Sequence, residues 1–146
     1  MKIINNNKKI LRDYEILDKF EAGIKLEGWE VKTARANSVD LSNAYCSIYK
    51  NELYLKDAYF KQYMLLKVNE RQDRKLLMHK HEILRIKFKL ESQPLTLVPL
   101  KIYFNNQSKI KVEIALARGL KKYDKRDKIA KEESQKRLLK TLKSYY

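Results

Sequence analysis

The chain is poor in the groups that do covalent or metal chemistry. Its 146 residues include one cysteine, Cys46, and two histidines, His79 and His81. A single thiol excludes an internal disulfide and a cysteine-based structural zinc site. In an apolar, strand-like stretch it reads as a small packing residue. The histidines stand beside Lys80 and Glu82 with no second ligand pair in sight, so no metal is expected. No glycine-rich phosphate loop is present, and no serine sits in a nucleophile elbow. Glu21 and Glu30 invite comparison with a catalytic carboxylate pair, but glutamates are far commoner as surface charges. The expectation is a protein that is not an enzyme and needs no cofactor.

Long apolar runs are missing as well. None reaches the roughly 18 residues that mark a membrane-spanning helix, and no basic amphipathic stretch carries a wide apolar face. Residues 1–7 have neither the apolar core nor the cleavage site of a secretory signal. A cytoplasmic protein with no membrane partner is therefore expected. Acidic residues are scarce too: 18 Asp and Glu face 33 Lys and Arg, for a net charge of +15. A field of that sign attracts polyanions, and nucleic acid leads among them.

The length suits a single domain, since domains run to roughly 100–200 residues, and a hydrophobic fraction of 44% can supply its core. The stretch Asp13 to Leu26 places apolar residues at alternate positions, the mark of a half-buried strand, with Asp18 as the one break. Gly23 in its interior predicts a bulge or bend. The spacing of Trp29, Val31 and Ala34 predicts a short helix over Gly28 to Ala36, closed by Asn37 in a left-handed conformation. Tyr45–Tyr49 and Leu53–Tyr59 read as a hairpin turning at Lys50 and Asn51. Residues 61–74 read mostly as loop, and His81 to Leu90 as an amphipathic helix. Leu95–Phe104 and Lys109–Ala117 form a second hairpin, with Lys111 and Glu113 on the face opposite Ile110, Val112, Ile114 and Leu116. Pro99 belongs at a sheet edge or a bulge. Five or six antiparallel strands with two or three short helices predict a mainly β fold, an OB-type closed barrel that removes its exposed edges.

The divisions expected are a basic arm over 1–12, the barrel over 13–117 and a basic tail over 118–146. From Arg118 onward 11 Lys and Arg face four acids, a net +7, and no continuous apolar stripe accompanies them. Glu132 and Lys136, like Glu133 and Arg137, are acid-before-base pairs four apart, worth only about 0.2–0.5 kcal/mol each in a helix. Such a tail is expected to be disordered when free and partly helical when its lysines are neutralised by phosphates. The cations have flat groups among them: Lys8, Lys9 and Arg12 precede Tyr14, Lys32 and Arg35 share a helix, and Tyr123 lies between Lys122 and Lys125-Arg126. RNA binding needs both kinds of group.

Several of these stretches, in order and at matching spacing over roughly residues 5 to 130, resemble the bacterial tmRNA-binding protein family, SmpB, also called SsrA-binding protein. They are Asp13-Tyr14, Phe20-Glu21-Ala22-Gly23, Gly28-Trp29-Glu30-Val31-Lys32, Arg35-Ala36, Arg74-Lys75-Leu76-Leu77 and Asp124-Lys125-Arg126. The resemblance implies an OB-type barrel that binds the tRNA-like domain of tmRNA and brings it to stalled ribosomes in trans-translation, doing no chemistry itself. By position Asn7, Lys8, Arg12, Tyr14 and Glu21 resemble the family's RNA-contacting residues, with Lys32 and Arg35 added on charge and exposure. Ala117, Arg118, Gly119, Lys121, Tyr123, Asp124, Lys125 and Arg126 fall on the tail that probes the decoding centre and messenger path of small-subunit rRNA. The partners implied are tmRNA and the ribosome, with elongation factor Tu and alanyl-tRNA synthetase reached indirectly through tmRNA, and the protein itself a monomer. Asn37 stands where the family usually has glycine, and Leu120 where it usually has lysine. A generic single-strand-binding OB module and a ribosome-associated structural protein are the alternatives.

Overall fold

The computed structural model describes residues 1–65, 67–120 and 130–137. In chain order the elements are β1 (Lys2–Asn6), α1 (Lys8–Asp13), β2 (Tyr14–Ile24), α2 (Gly28–Arg35), β3 (Val39–Asp40), β4 (Tyr45–Tyr49), β5 (Glu52–Lys56), β6 (Tyr59–Phe60), β7 (Arg74–Leu77), α3 (Lys80–Ser92), β8 (Thr96–Phe104) and β9 (Ile110–Gly119). Seven strands form one antiparallel sheet in the order β1-β8-β9-β2-β7-β5-β4, and β3 pairs separately with β6. Residues 130–137 form two turns of helix with every residue exposed.

Two expectations need correction. The sheet is mainly β and antiparallel as expected, but its hydrogen-bonded ladder is open, ending at β1 and β4. It coils far enough to bring β4 against β8. No ladder joins them among the described residues, because both edges of β8 are already taken, by β9 and by β1. The second correction concerns Gly23, which is regularly paired on both sides, with Lys111 on β9 and Leu77 on β7. The bulge of β2 lies instead between Ile16 and Asp18, where the polar Asp18 interrupts the alternation. Glycine at 23 serves close approach: a Cβ there would stand 3.3 Å from the Cβ of Leu77.

The segment expected as an arm is built into the sheet. Lys2–Asn6 pairs with β8, and Ile4, Asn7 and Ile10 are buried. At the turns the residue types fit the backbone. Asn37 and Asn51 take φ of 57° and 61°, the left-handed region that Asn tolerates best among non-glycine residues. Pro99 sits at a register shift of β8, between its pairing and that of Lys101, which is the bulge position its missing donor requires.

The coiled sheet and α3 enclose one core around Ala22, Leu53, Leu55, Leu76, Ile86, Ile102, Val112, Ile114 and Leu116. Cys46 is in it, and burial pushes its thiol far up from the ordinary range, so it packs rather than reacts. A second, smaller cluster lies on the opposite face of the sheet, where Ile10 of α1 covers Val98, Leu100, Ala115 and Ala117. A buried ion pair ties α2 to β7: Arg74 Nε donates to Glu30, and its other nitrogens donate to the carbonyls of Ala58, Gln72 and Glu70. The guanidinium also lies 4.0 Å over the Phe60 ring. With all three guanidinium nitrogens donating, the cost of burying the pair is offset. Glu30 additionally closes a capping box with Glu27 at the start of α2.

Candidate nucleic-acid interface

The face of β8, β9 and β2 that points away from the main core carries most of the residues singled out in the sequence. Register places Tyr14, Lys19 and Glu21 of β2 opposite Gly119, Ala115 and Glu113 of β9, and Lys101 and Tyr103 of β8 opposite Glu113 and Lys111. Alternation then puts all these side chains on one side of the sheet. One end of that face is covered by α1, a short helix that buries Ile10 and leaves Lys8, Lys9 and Arg12 exposed. Lys8, Arg12, Tyr14 and Glu21 are thereby brought onto one surface.

Asn7 behaves differently. It is 3% exposed, its Nδ2 donates to the carbonyls of Leu41 and Pro99 at 2.9 and 3.2 Å, and its backbone N–H donates to Leu100 at 2.8 Å. Its side chain fastens the start of α1 to β8 and so fixes where Lys8 and Arg12 stand.

Glu21 and Glu113 are direct cross-strand partners, and like charges so placed repel. Strand β8 supplies a compensating donor to each: the Tyr103 hydroxyl donates to Glu21, and Lys101 lies 3.7 Å from Glu113. The ammonium of Lys101 is also 5.5 Å from the centre of the Tyr103 ring. Burial, and then the bond to Glu21, hold the Tyr103 hydroxyl well above the usual tyrosine range. Sequence reasoning did not single out Tyr103, although its alternation with Lys101 on β8 placed both on one face. Glu21 and Glu30 do not form a carboxylate pair, since Glu30 is spent on Arg74 in the interior.

The root of the tail lies against the same surface. Tyr14 is paired with Gly119, whose Cα hydrogen side faces the ring with room to spare, a Cβ there standing 3.9 Å from Tyr14 Cε1. Arg118 reaches to 4.0 Å of Glu15, and Leu120 N–H donates to the carbonyl of Asp13 at 2.9 Å. Arg118 and Gly119 therefore belong to β9, and the body extends to Leu120. Lys121, Tyr123, Asp124, Lys125 and Arg126 lie outside the described residues.

Lys32 and Arg35 stand elsewhere, on α2. Lys32 is placed over the ring of Tyr63, 5.0 Å from its centre. Arg35 opens onto a groove beside the β8–β9 turn. Nothing among the described residues assembles a group of three or more His, Cys, Asp or Glu fit for a metal ion, and His79 and His81 stack on each other with ring centres 5.6 Å apart. No helix of the described residues is long and apolar enough to cross a membrane.

The chain is similar to known proteins over nearly its whole length. The family described as SmpB protein matches residues 4–144. The SsrA-binding protein of Mycoplasmopsis synoviae is 67% identical over 143 residues, covering 98% of this chain and 99% of that protein. That of Mycoplasmopsis pulmonis is 56% identical over 141 residues, covering 97% of each. A solved structure described as "tmRNA-SmpB: a journey to the center of the bacterial ribosome" matches with a TM-score of 0.68 at 43% identity, covering 86% of this chain and 93% of that one.

Proposed function

This chain belongs to the SmpB protein family, and from that premise we propose that its sheet face holds the tRNA-like domain of tmRNA while its tail works on the ribosome. It binds tmRNA and acts with it on stalled ribosomes in trans-translation, a role of recognition and delivery rather than chemistry, performed in the cytoplasm. The coiled sheet plays the part of an OB-type barrel.

The observation that carries this reading is the pairing of Tyr14, which follows directly on the exposed cations of α1, with Gly119 at the strand end where the tail departs. Cations exposed on α1 neutralise phosphates, and the half-buried Tyr14 ring offers a flat surface at the place where the tail departs. Glu21, held by Tyr103, is an acceptor among cations. It cannot attract phosphate, so its use is to accept hydrogen bonds from base amino groups or 2′-hydroxyls, which is how shape and sequence are read in RNA. Asn7 acts at one remove by positioning α1. In the tail, Lys121, Lys125 and Arg126 supply charge for an RNA-lined channel, and Tyr123 a ring that stacks on an rRNA base at about 1–3 kcal/mol.

Truncation after Leu120 tests the division of labour, because the cut leaves the Asp13–Leu120 hydrogen bond and all of β9 in place. Affinity for tmRNA is expected to fall by less than about threefold, while tagging of stalled nascent chains in a reconstituted translation system is abolished. A loss of tmRNA affinity with tagging retained would contradict the division.

A further inference from the structure

Helix α3 shows to solvent a face that the proposed roles of the sheet face and the tail leave unused. Its underside is spent on the core, where Ile83 and Ile86 are buried and Leu90 packs against the same cluster. Both flanks are tied down. Lys89 pairs with Asp18 of β2 at 3.2 Å, and Lys87 donates to the side-chain oxygen of Asn51 at the β4–β5 turn at 3.1 Å. The helix is therefore a fixed platform. On its outer side Phe88 is 71% exposed and Leu84 42%, and residues four apart are neighbours on one helix face.

The charges beside this pair form a pattern. Read in sevens, His81 and Phe88 take the first core position of a coiled-coil repeat and Leu84 the fourth, with Glu91 at the next fourth position ending the apolar seam. The positions that border such a seam are then Lys80 and Lys87 on one side and Arg85 on the other. None of these three cations stands in an ion pair among the described residues, whereas Lys89, further round the helix, is matched to Asp18. A short apolar ridge thus runs between bordering charges of one sign.

We propose that the outer face of α3 docks an acidic amphipathic helix of a protein partner, its apolar side chains packing on Leu84 and Phe88 and its Asp or Glu side chains meeting Lys80, Arg85 and Lys87. Charge at the bordering positions sets partner choice in paired helices, and here it selects acids. A second copy of this chain does not fit. Two α3 helices would set Lys80 and Lys87 against Arg85 when parallel and against each other when antiparallel, and like charges repel in both. Nucleic acid would satisfy the cations but not the seam: bases stack on flat rings, whereas Leu84 one turn from Phe88 makes a ridge shaped for the holes of a facing helix. At about 1.5 Å per residue the 13 residues of α3 span about 20 Å. A seam of that length buries less than a standard interface, so the complex is weak and transient. The inference does not depend on the RNA-binding role of the sheet face.

The test uses the full chain and three cross-linked helical peptides of about two heptads: one with a leucine seam bordered by Glu, one with a serine seam bordered by Glu, and one with a leucine seam bordered by Lys. Amide chemical shifts report the binding. The first peptide is expected to shift residues 80–92, most of all Leu84 and Phe88, and the other two to bind at least about tenfold more weakly. The variants L84S/F88S and K80Q/R85Q/K87Q should each weaken the first peptide about tenfold, as loss of anchor residues does, while affinity for tRNA-like RNA in L84S/F88S stays within about threefold of wild type. All five side chains are exposed or half-exposed, so the fold is kept, and an unchanged amide spectrum outside α3 verifies it. Equal binding of the serine-seam peptide would reduce the site to general basic charge and overturn the proposal. Shifts of Leu84 and Phe88 by single-stranded RNA, together with a loss of RNA affinity in L84S/F88S, would give the face to RNA and overturn it. Concentration-dependent shifts of the same residues without peptide would give it to a second copy, with the same consequence.

Discussion

Single residues divide into the exposed ones of α1 and the sheet face and the buried ones that hold them in position. Asn7 is a fastener, so Asn7→Ala is expected to cost about 1–3 kcal/mol of stability, the penalty for stranding the Leu41 and Pro99 carbonyls in the interior. Urea unfolding measures it, and an unchanged midpoint would show the amide to be idle. Tyr103 holds Glu21, and its raised hydroxyl pKa has a consequence with a definite sign. Between the ordinary tyrosine value of about 10 and the higher folded one, unfolding releases a proton that the native state keeps. Stability is thus complete below that range and falls as pH rises through it. Tyr103→Phe is expected to flatten this alkaline loss while lowering stability at neutral pH by about 1–3 kcal/mol, since the donor to a charged acceptor is gone. Thermal unfolding at pH 7 and at pH 11 reads both effects, and parallel curves for the two proteins would contradict the assignment. The sequence displayed Glu21 clearly but not its partner, because a tyrosine 82 residues away becomes a neighbour only through the β2-β9-β8 register.

Among the elements, those with strong periodicity were legible and the short ones were not. The long strand β2, the helices α2 and α3 and both hairpins follow from alternation, helical spacing and turn residues. β1 and α1 each bury few side chains, Ile4 and Ile10 the apolar ones, so neither has a pattern to read, and β3 with β6 is a two-residue ladder. The bulge of β2 was signalled by Asp18 and was ascribed to Gly23, since a break in alternation and an interior glycine are both bulge marks. The buried Arg74–Glu30 pair joins two of the stretches that carry the family resemblance, and its place is structural. Arg74→Ala is expected to cost about 3–5 kcal/mol by leaving Glu30 buried and unpaired. Lys75→Ala, which breaks the exposed pair with Glu52, should cost about 0–1 kcal/mol. Equal losses in the two variants would show that burial of the pair is not what matters.

At the scale of the molecule, charge announced a polyanionic partner, and only the fold shows how the cations are apportioned. Some are matched to acids, some line the sheet face beside Tyr14, and some flank the groove near Arg35. The closed barrel was an inference from edge protection. The hydrogen-bonded ladder stays open, with β1 and β4 at its edges and β4 brought against β8 by the coiling of the sheet. The tail, most of which lies outside the described residues, was legible as composition and family motif. Its root was not, since Arg118 and Gly119 complete β9 and place the departure point beside Tyr14.

The central claim is that this surface reads the shape of a tRNA-like fold and not charge alone. The direct measurement is the affinity of the full chain for the tRNA-like domain of tmRNA and for an unstructured RNA of equal length, as a function of salt. Counterion release lowers both as salt rises, whereas recognition of shape leaves a gap between them that persists. A gap of about 100-fold or more at physiological salt is expected, narrowed by Tyr14→Ala. Affinities for the two RNAs that coincide across the salt range would contradict the account.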